Sequence, residues 1–405
     1  MAVGPSELPR FYPVSGFALG TASAGIKKPG RPDLVVMSIA EGASVAGVFT
    51  QNAFCAAPVQ LCKRFLPQGD IRYFVINTGN ANAGTGTEGL THAQETCDAL
   101  GQQVGVNSRQ VLPFSTGVIG ERLPVERIVD GLPAAVAALT ESGWEDAASG
   151  IMTTDTRPKG ATRRIEIDGK PVVISGISKG AGMIRPNMAT MLGFAATDAA
   201  IDDTLLQQLL TKSANQSFNR ITVDSDTSTN DACMLVATGK SGVEVSEDNP
   251  AALQAFTQAL NSLMRELAHA IVRDGEGATK FVTVEVANAA SQAEALDTAY
   301  AIAHSPLVKT ALFASDPNWG RILAVVGRAG IENLDLEALK LYLGDVCIVS
   351  EGGRDRDYTE EAGQAVMNQE EIKITVDLNR GDVTETVWTT DFSHDYVSIN
   401  ADYRS

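Results

Sequence analysis

The chain has 405 residues, of which 44% are hydrophobic and 20% charged. This is a globular composition with room for two or three domains, and it excludes a disordered chain, a collagen-like chain and a disulfide miniprotein. Lys and Arg number 32 against 49 Asp and Glu, a net charge of −17, and no Lys/Arg run exceeds two residues, which disfavours a nucleic-acid partner.

In chain order, apolar β-branched runs predict strands over 34–40 and 73–76, followed by a helix over 91–104 with Thr91 as its N-cap. A second helix over 124–139 has Pro in its first turn. Strands are then predicted over 172–177 and 191–196, a helix over 203–219, a strand over 233–238 and a long helix over 249–274. The remainder reads as a strand over 281–287, a helix over 289–304, a strand over 322–327, a helix over 336–343 and a strand over 346–350. An exposed polar loop over 351–369 and a last strand over 372–378 complete the pattern. Mixed strands and helices without repeats point to an α/β or layered α+β protein.

Residues 179–193 fit no regular element. Gly180, Gly182 and Pro186 break both helix and central strand, yet the stretch is apolar enough for burial. A buried irregular segment must satisfy its backbone polar groups locally, and such loops usually serve a function. An apolar run headed by Thr190 follows it and ends at Asp198.

Several local motifs have a chemical and a plain reading. Gly84–Gly89 matches G-x-G-x-x-G, but it trails its strand by six residues and no acidic residue ends a second strand, so a glycine-rich turn is the better reading. The preceding Asn77-Thr-Gly-Asn-Ala-Asn is a candidate pocket lining. Asp224–Asp231 begins like a calcium loop but has Thr229 and Leu235 where glycine and glutamate belong, leaving a polar turn. In Asp274-Gly-Glu-Gly-Ala-Thr-Lys280 the glycines admit a ligand beside Glu276, whereas spacing alone favours a helix cap with a solvated acid. Thr116-Gly117 ends an apolar run and is able to aim donors at an anion.

Cys55, Cys62, Cys97, Cys233 and Cys347 form no C-x-x-C pair and read as reduced, buried thiols rather than a zinc site. The N-terminus has no signal-peptide core and no apolar run reaches membrane-spanning length, so a cytoplasmic location is expected. His92, His269, His304 and His394 are the only histidines, and no G-x-S-x-G or H-E-x-x-H is present. A general base other than imidazole is therefore favoured, one candidate being an N-terminal amine beside a Thr hydroxyl.

The run KGAGMIRPNMATML at 179–192 resembles the self-cleavage signature of the ornithine acetyltransferase (glutamate N-acetyltransferase) family. STGVIG at 115–120, TTDT at 153–156, NTGNANAGTG at 77–86, DGEGATK at 274–280, SDPNWGRI at 315–322 and the terminal NADYRS match that family in order, over nearly the whole chain. Ala181 and Arg185 are the departures, where Ser and a smaller residue are usual.

The resemblance implies a layered α-β-β-α sandwich with a second, smaller domain. It implies autocleavage between Ala189 and Thr190, giving an α chain of 1–189 and a β chain of 190–405 that stay together as a heterotetramer of two copies each. Thr190 becomes the N-terminal nucleophile, and Thr116 and Gly117 form the oxyanion hole. Thr153 or Thr154, Lys179, Thr190, Glu276, Asn400 and Ser405 contact substrate. The implied reaction is ping-pong acetyl transfer from N-acetyl-L-ornithine to L-glutamate in arginine biosynthesis. No metal or cofactor is implied, although acetyl-CoA is a second acetyl donor for some members. An amidase using the same nucleophile, a nucleotide-binding protein built on Gly84–Gly89 and an uncleaved structural protein are the rival readings.

Overall fold

The computed structural model describes residues 2–5, 7–26, 30–185 and 191–402. The chain forms two compact units, a larger one of residues 7–219 and 226–271 and a smaller one of residues 1–6, 220–225 and 272–405.

The larger unit contains nine of the described strands: β1 (Phe17–Ala22), β2 (Leu34–Ile39), β3 (Ser44–Phe49), β4 (Tyr73–Asn80), β5 (Val111–Val118), β6 (Lys159–Ile167), β7 (Lys170–Lys179), β8 (Leu192–Thr197) and β9 (Ala232–Ala237). They form two sheets, in the orders β1-β2-β4-β5 and β3-β9-β8-β7-β6. Every residue of β8 and β9 is buried, as expected of central strands covered on both faces. Phe194 of β8 meets Phe74 of β4 at 6.0 Å and Phe114 of β5 at 5.1 Å between ring centroids, so the two sheets pack face to face through one apolar core.

Helices cover the outer faces. On the four-stranded sheet lie α1 (Ala57–Phe65), α2 (Gly86–Val104) and α3 (Val125–Ala137), with α4 (Trp144–Gly150) beside β1 and β7. Gly20 of β1 lets α3 lie directly on the strand, since a Cβ there would sit 2.1 Å from the Ala135 carbonyl oxygen. On the other sheet α5 (Asp203–Gln216) packs against β3, where the Gln207 amide bonds both N–H and C=O of Gly47 at 3.2 and 3.3 Å. The last helix of this unit, α6 (Pro250–Arg273), sets Leu263 and Leu267 against Gly176 of β7. The expected α-β-β-α layering is therefore present.

The smaller unit is a six-stranded sheet with its own core. Its strands are β10 (Phe281–Ala289), β11 (Lys340–Leu343), β12 (Val346–Ser350), β13 (Gly353–Arg354), β14 (Glu371–Asp377) and β15 (Val383–Thr390), in the order β13-β12-β11-β14-β10-β15. Helices α7 (Gln292–Ala303), α8 (Pro306–Phe313), α9 (Trp319–Val326), α10 (Glu360–Met367) and α11 (His394–Ala401) complete it.

Several expectations are corrected. The run predicted as a strand over 322–327 is helical as far as Val326, because Asn318 caps the Arg321 N–H and burial of Ile322, Val325 and Val326 follows helical spacing. Residues 340–343 are a strand rather than part of a helix, with Leu341 and Leu343 buried while Lys340 and Tyr342 alternate outward. The supposed loop 351–369 contains β13 and α10, the latter capped by Thr359 and anchored by buried Gly363 and Met367. Helix α2 starts at Gly86, and the Thr91 hydroxyl bonds the Thr87 carbonyl inside it instead of capping. Cys62, Cys97 and Cys233 are buried, but Cys55 and Cys347 are only half-buried. Among the described residues no helix is long and apolar enough to cross a membrane.

Candidate active site

In the larger unit the site is built at the ends of β4 and β5, which run parallel and in register as far as Gly79 opposite Gly117. Gly117 has φ +137°, and a Cβ there would lie 2.3 Å from the Gly79 carbonyl carbon and 2.5 Å from the Asn80 nitrogen. Only glycine fits this corner. The asparagines of the β4 end are its scaffold rather than a pocket lining. Asn77 Oδ1 accepts from the Ser115 hydroxyl at 2.5 Å, and the Asn77 amide donates to the Asn80 carbonyl at 2.9 Å. The Asn82 amide donates to the Gly89 carbonyl and its Oδ1 accepts from Thr85, so the glycine-rich turn is filled by its own polar groups.

Thr116 is buried, and its hydroxyl accepts a 2.9 Å hydrogen bond from Lys179 Nζ. Lys179 is the last residue of β7 and pairs across the sheet with Leu192, the first residue of β8. Immediately after it, the Gly180 N–H donates to Asp155 Oδ1 at 2.7 Å. The same carboxylate accepts from the Thr153 N–H at 2.9 Å and from Lys159 Nζ at 2.6 Å, with both side chains of that ion pair out of solvent. Burial pushes the Asp155 carboxyl up, but the Lys159 and Lys179 ammonium groups and the Thr153 N–H outweigh it and hold the carboxyl well below its usual range. Asp155 therefore ties the TTDT turn to the start of the irregular segment. Thr153 and Thr154 are both half-buried in that turn.

A cavity of about 260 Å³, including its open mouth, is lined by Thr116, Lys179, Gly180 and Met191 together with Ser228, Asn230 and Asp231. The polar turn 224–231 is buried at its end, from Thr229 to Asp231. The Asn230 amide reaches the carbonyls of Ala81 and Ser115 at 2.5 and 2.9 Å, which fixes the run beneath the Thr116 corner. Asp231 is buried, and burial pushes its carboxyl well above the usual range against the Ser228 donors and the Lys179 charge. Asp155 and Asp231 were not apparent from sequence. Each lies in a polar run, and only the fold reveals that it is buried.

In the smaller unit Glu276 is buried rather than solvated, and its Oε2 accepts from the Asn400 amide at 2.8 Å. Gly277, at φ +71°, admits α11 closely, since a Cβ would meet Ser393 Oγ at 2.5 Å and the Tyr396 nitrogen at 2.6 Å. Ser393 also donates to the Gly277 carbonyl at 2.6 Å. Thus Thr116, Gly117 and Lys179 are grouped in one unit, with Thr153 tied to them through Asp155, and Glu276 and Asn400 are paired in the other. Ala189, Thr190 and Ser405 lie outside the described residues. Among the described residues no group of three or more His, Cys, Asp or Glu side chains is placed to hold a metal ion.

Comparison with known proteins adds a family. The model of the ArgJ family matches residues 18–405. The arginine biosynthesis bifunctional protein ArgJ of Pseudomonas syringae is 60% identical over the whole of both chains. Its Methylococcus capsulatus counterpart is 57% identical over 98% of this chain and 97% of its own. A crystal structure of arginine biosynthesis bifunctional protein argJ from Bacillus halodurans is 40% identical, with a TM-score of 0.50 over 52% of this chain and 99% of that one.

Proposed function

We propose, from the premise that this chain belongs to the ArgJ family, that it transfers an acetyl group from N-acetyl-L-ornithine to L-glutamate in arginine biosynthesis. The observation that carries the reading is the Thr116–Gly117 corner held against Lys179 at the cavity. Lys179 donates to the Thr116 oxygen, so the Thr116 proton is free to point at a developing oxyanion. A preorganised donor of this kind is worth roughly 3–4 kcal/mol in acyl transfer.

The precursor cuts itself between Ala189 and Thr190, leaving pieces of 1–189 and 190–405. The solved Bacillus halodurans chain is matched almost completely by about half of this one, the length of a single piece. Cleavage gives Thr190 a free α-amine, which has an ordinary pKa near 7.7–8.0 and so accepts a proton near neutrality. Thr190 Oγ attacks the acetyl carbonyl and passes its proton to that amine. Ornithine departs and leaves an acetyl ester. The glutamate amine attacks the ester, N-acetylglutamate leaves, and the Thr190 hydroxyl is restored. Lys179 clamps the α-carboxylate common to both amino acids. Glu276, oriented by Asn400, faces the ornithine cation, and Thr153 or Thr154 and Ser405 complete the substrate contacts.

The pieces form a cytoplasmic heterotetramer, two of each, without metal or cofactor. Acetyl-CoA is the alternative acetyl donor. Intact mass under denaturing conditions tests the reading: two species of about 20 and 23 kDa, domain-scale chains, the larger beginning Thr-Met-Leu-Gly, are expected. A single 42.7 kDa species that produces no N-acetylglutamate from the two substrates would overturn it.

A further inference from the structure

The carboxyl of Asp231 has no role in the reaction as described. It is 3% exposed, and its Oδ2 is buried without a hydrogen-bond partner among the described residues. An unpaired buried carboxyl oxygen is costly and calls for an explanation. The Ser228 hydroxyl and N–H and the Lys179 ammonium favour its ionised form, and its own charge pushes the Cys55 thiol up. The cavity that Asp231 lines also holds Thr116 and Lys179. The next residue, Ala232, donates its N–H to the Met191 carbonyl at 2.9 Å, so the backbone at Asp231 is pinned to the chain that follows the irregular segment.

We propose that Asp231 binds the α-nitrogen of both amino-acid substrates through Oδ2 and carries the proton that this nitrogen gains and loses. The inference rests on the acetyl-transfer reading. In the first half-reaction the bond between the acetyl carbon and the ornithine nitrogen breaks, the Asp231 carboxyl protonates that nitrogen, and Asp231 is left as a carboxylate beside Lys179. In the second half-reaction the neutral glutamate amine forms its bond to the acetyl carbon and returns one proton to Asp231. The proton of the Thr190 hydroxyl is handled separately by its own α-amine, so both half-reactions balance. Burial favours the protonated carboxyl, and the Lys179 charge favours the carboxylate left once the substrate nitrogen has taken the proton.

The test uses Asp231→Asn, which keeps the shape and the acceptor but cannot carry a proton, with Ser228→Ala as a second variant. Asp231→Asn should still give two masses, with kcat for transfer lowered roughly 100-fold or more and both KM values within about threefold. One limb of its kcat–pH profile should be lost. Ser228→Ala removes a hydroxyl that favours the carboxylate, so the same limb should move to higher pH. An Asp231→Asn enzyme with kcat within about threefold of the parent and an unaltered pH profile would overturn the proposal. If that variant fails to fold or to cleave, an unmoved limb in Ser228→Ala overturns it instead. A parent protein that transfers no acetyl group between N-acetylornithine and glutamate defeats the underlying reading, whatever the variants do.

Discussion

Lys179 sits between two oxygens of different character, the Thr116 hydroxyl that accepts from it and the buried Asp155 carboxylate whose ionisation it favours. Its replacement by Ala should raise KM for both N-acetylornithine and glutamate. Glu276→Ala should impair use of ornithine compounds and spare glutamate, and initial-rate kinetics with each substrate varied in turn separates the two. Asp155→Asn breaks a fully buried ion pair and should cost about 3–5 kcal/mol in denaturant unfolding at pH 7. The Asp155 carboxyl is depressed in the folded state, so its stabilising contribution is complete above the ordinary value near 3.9 and is lost as pH falls below it toward the folded value. The difference between parent and variant should therefore shrink in acid. Thr116, Gly117, Lys179 and Glu276 could be nominated from sequence because they lie in motifs matched in order along the chain. Asp155 and Asp231 could not, because nothing local to an acid in a polar run reports that the fold removes it from water.

At the scale of elements, the two sheets of the larger unit meet through Phe194, which is 1% exposed and set between Phe74 and Phe114. Phe194→Ala should cost about 3–5 kcal/mol through lost transfer energy and a residual cavity. Chemical denaturation monitored by circular dichroism measures it directly. The strands were read well where burial is continuous or nearly so, as in β8 and β2, since a short apolar run between breakers has few alternatives. Reading failed where length was the only discriminator. Residues 322–327 are apolar and β-branched enough for a strand, but a cap at Asn318 and burial on one face make them α9. Helix α10 was missed for the opposite reason, since its polar composition concealed the buried face formed by Gly363 and Met367.

At the scale of the molecule, the sheet order β3-β9-β8-β7-β6 acquires a new meaning once the bond before Thr190 is cut. Strands β8 and β9 then belong to one polypeptide, while β3 on one side and β7 and β6 on the other belong to the second. The precursor folds in a unimolecular reaction. The mature protein, once unfolded and its pieces separated, must reassemble a sheet whose centre and flanks come from different chains, so its recovery becomes a second-order process. Refolding yield of the cleaved protein should therefore fall on dilution, whereas an uncleaved Thr190→Ala precursor should refold equally well at all concentrations. On the proposed cleavage, the cut that creates the nucleophile would also make the route to this fold one-way, leaving the working enzyme dependent on a barrier to unfolding rather than on ready return from the unfolded state.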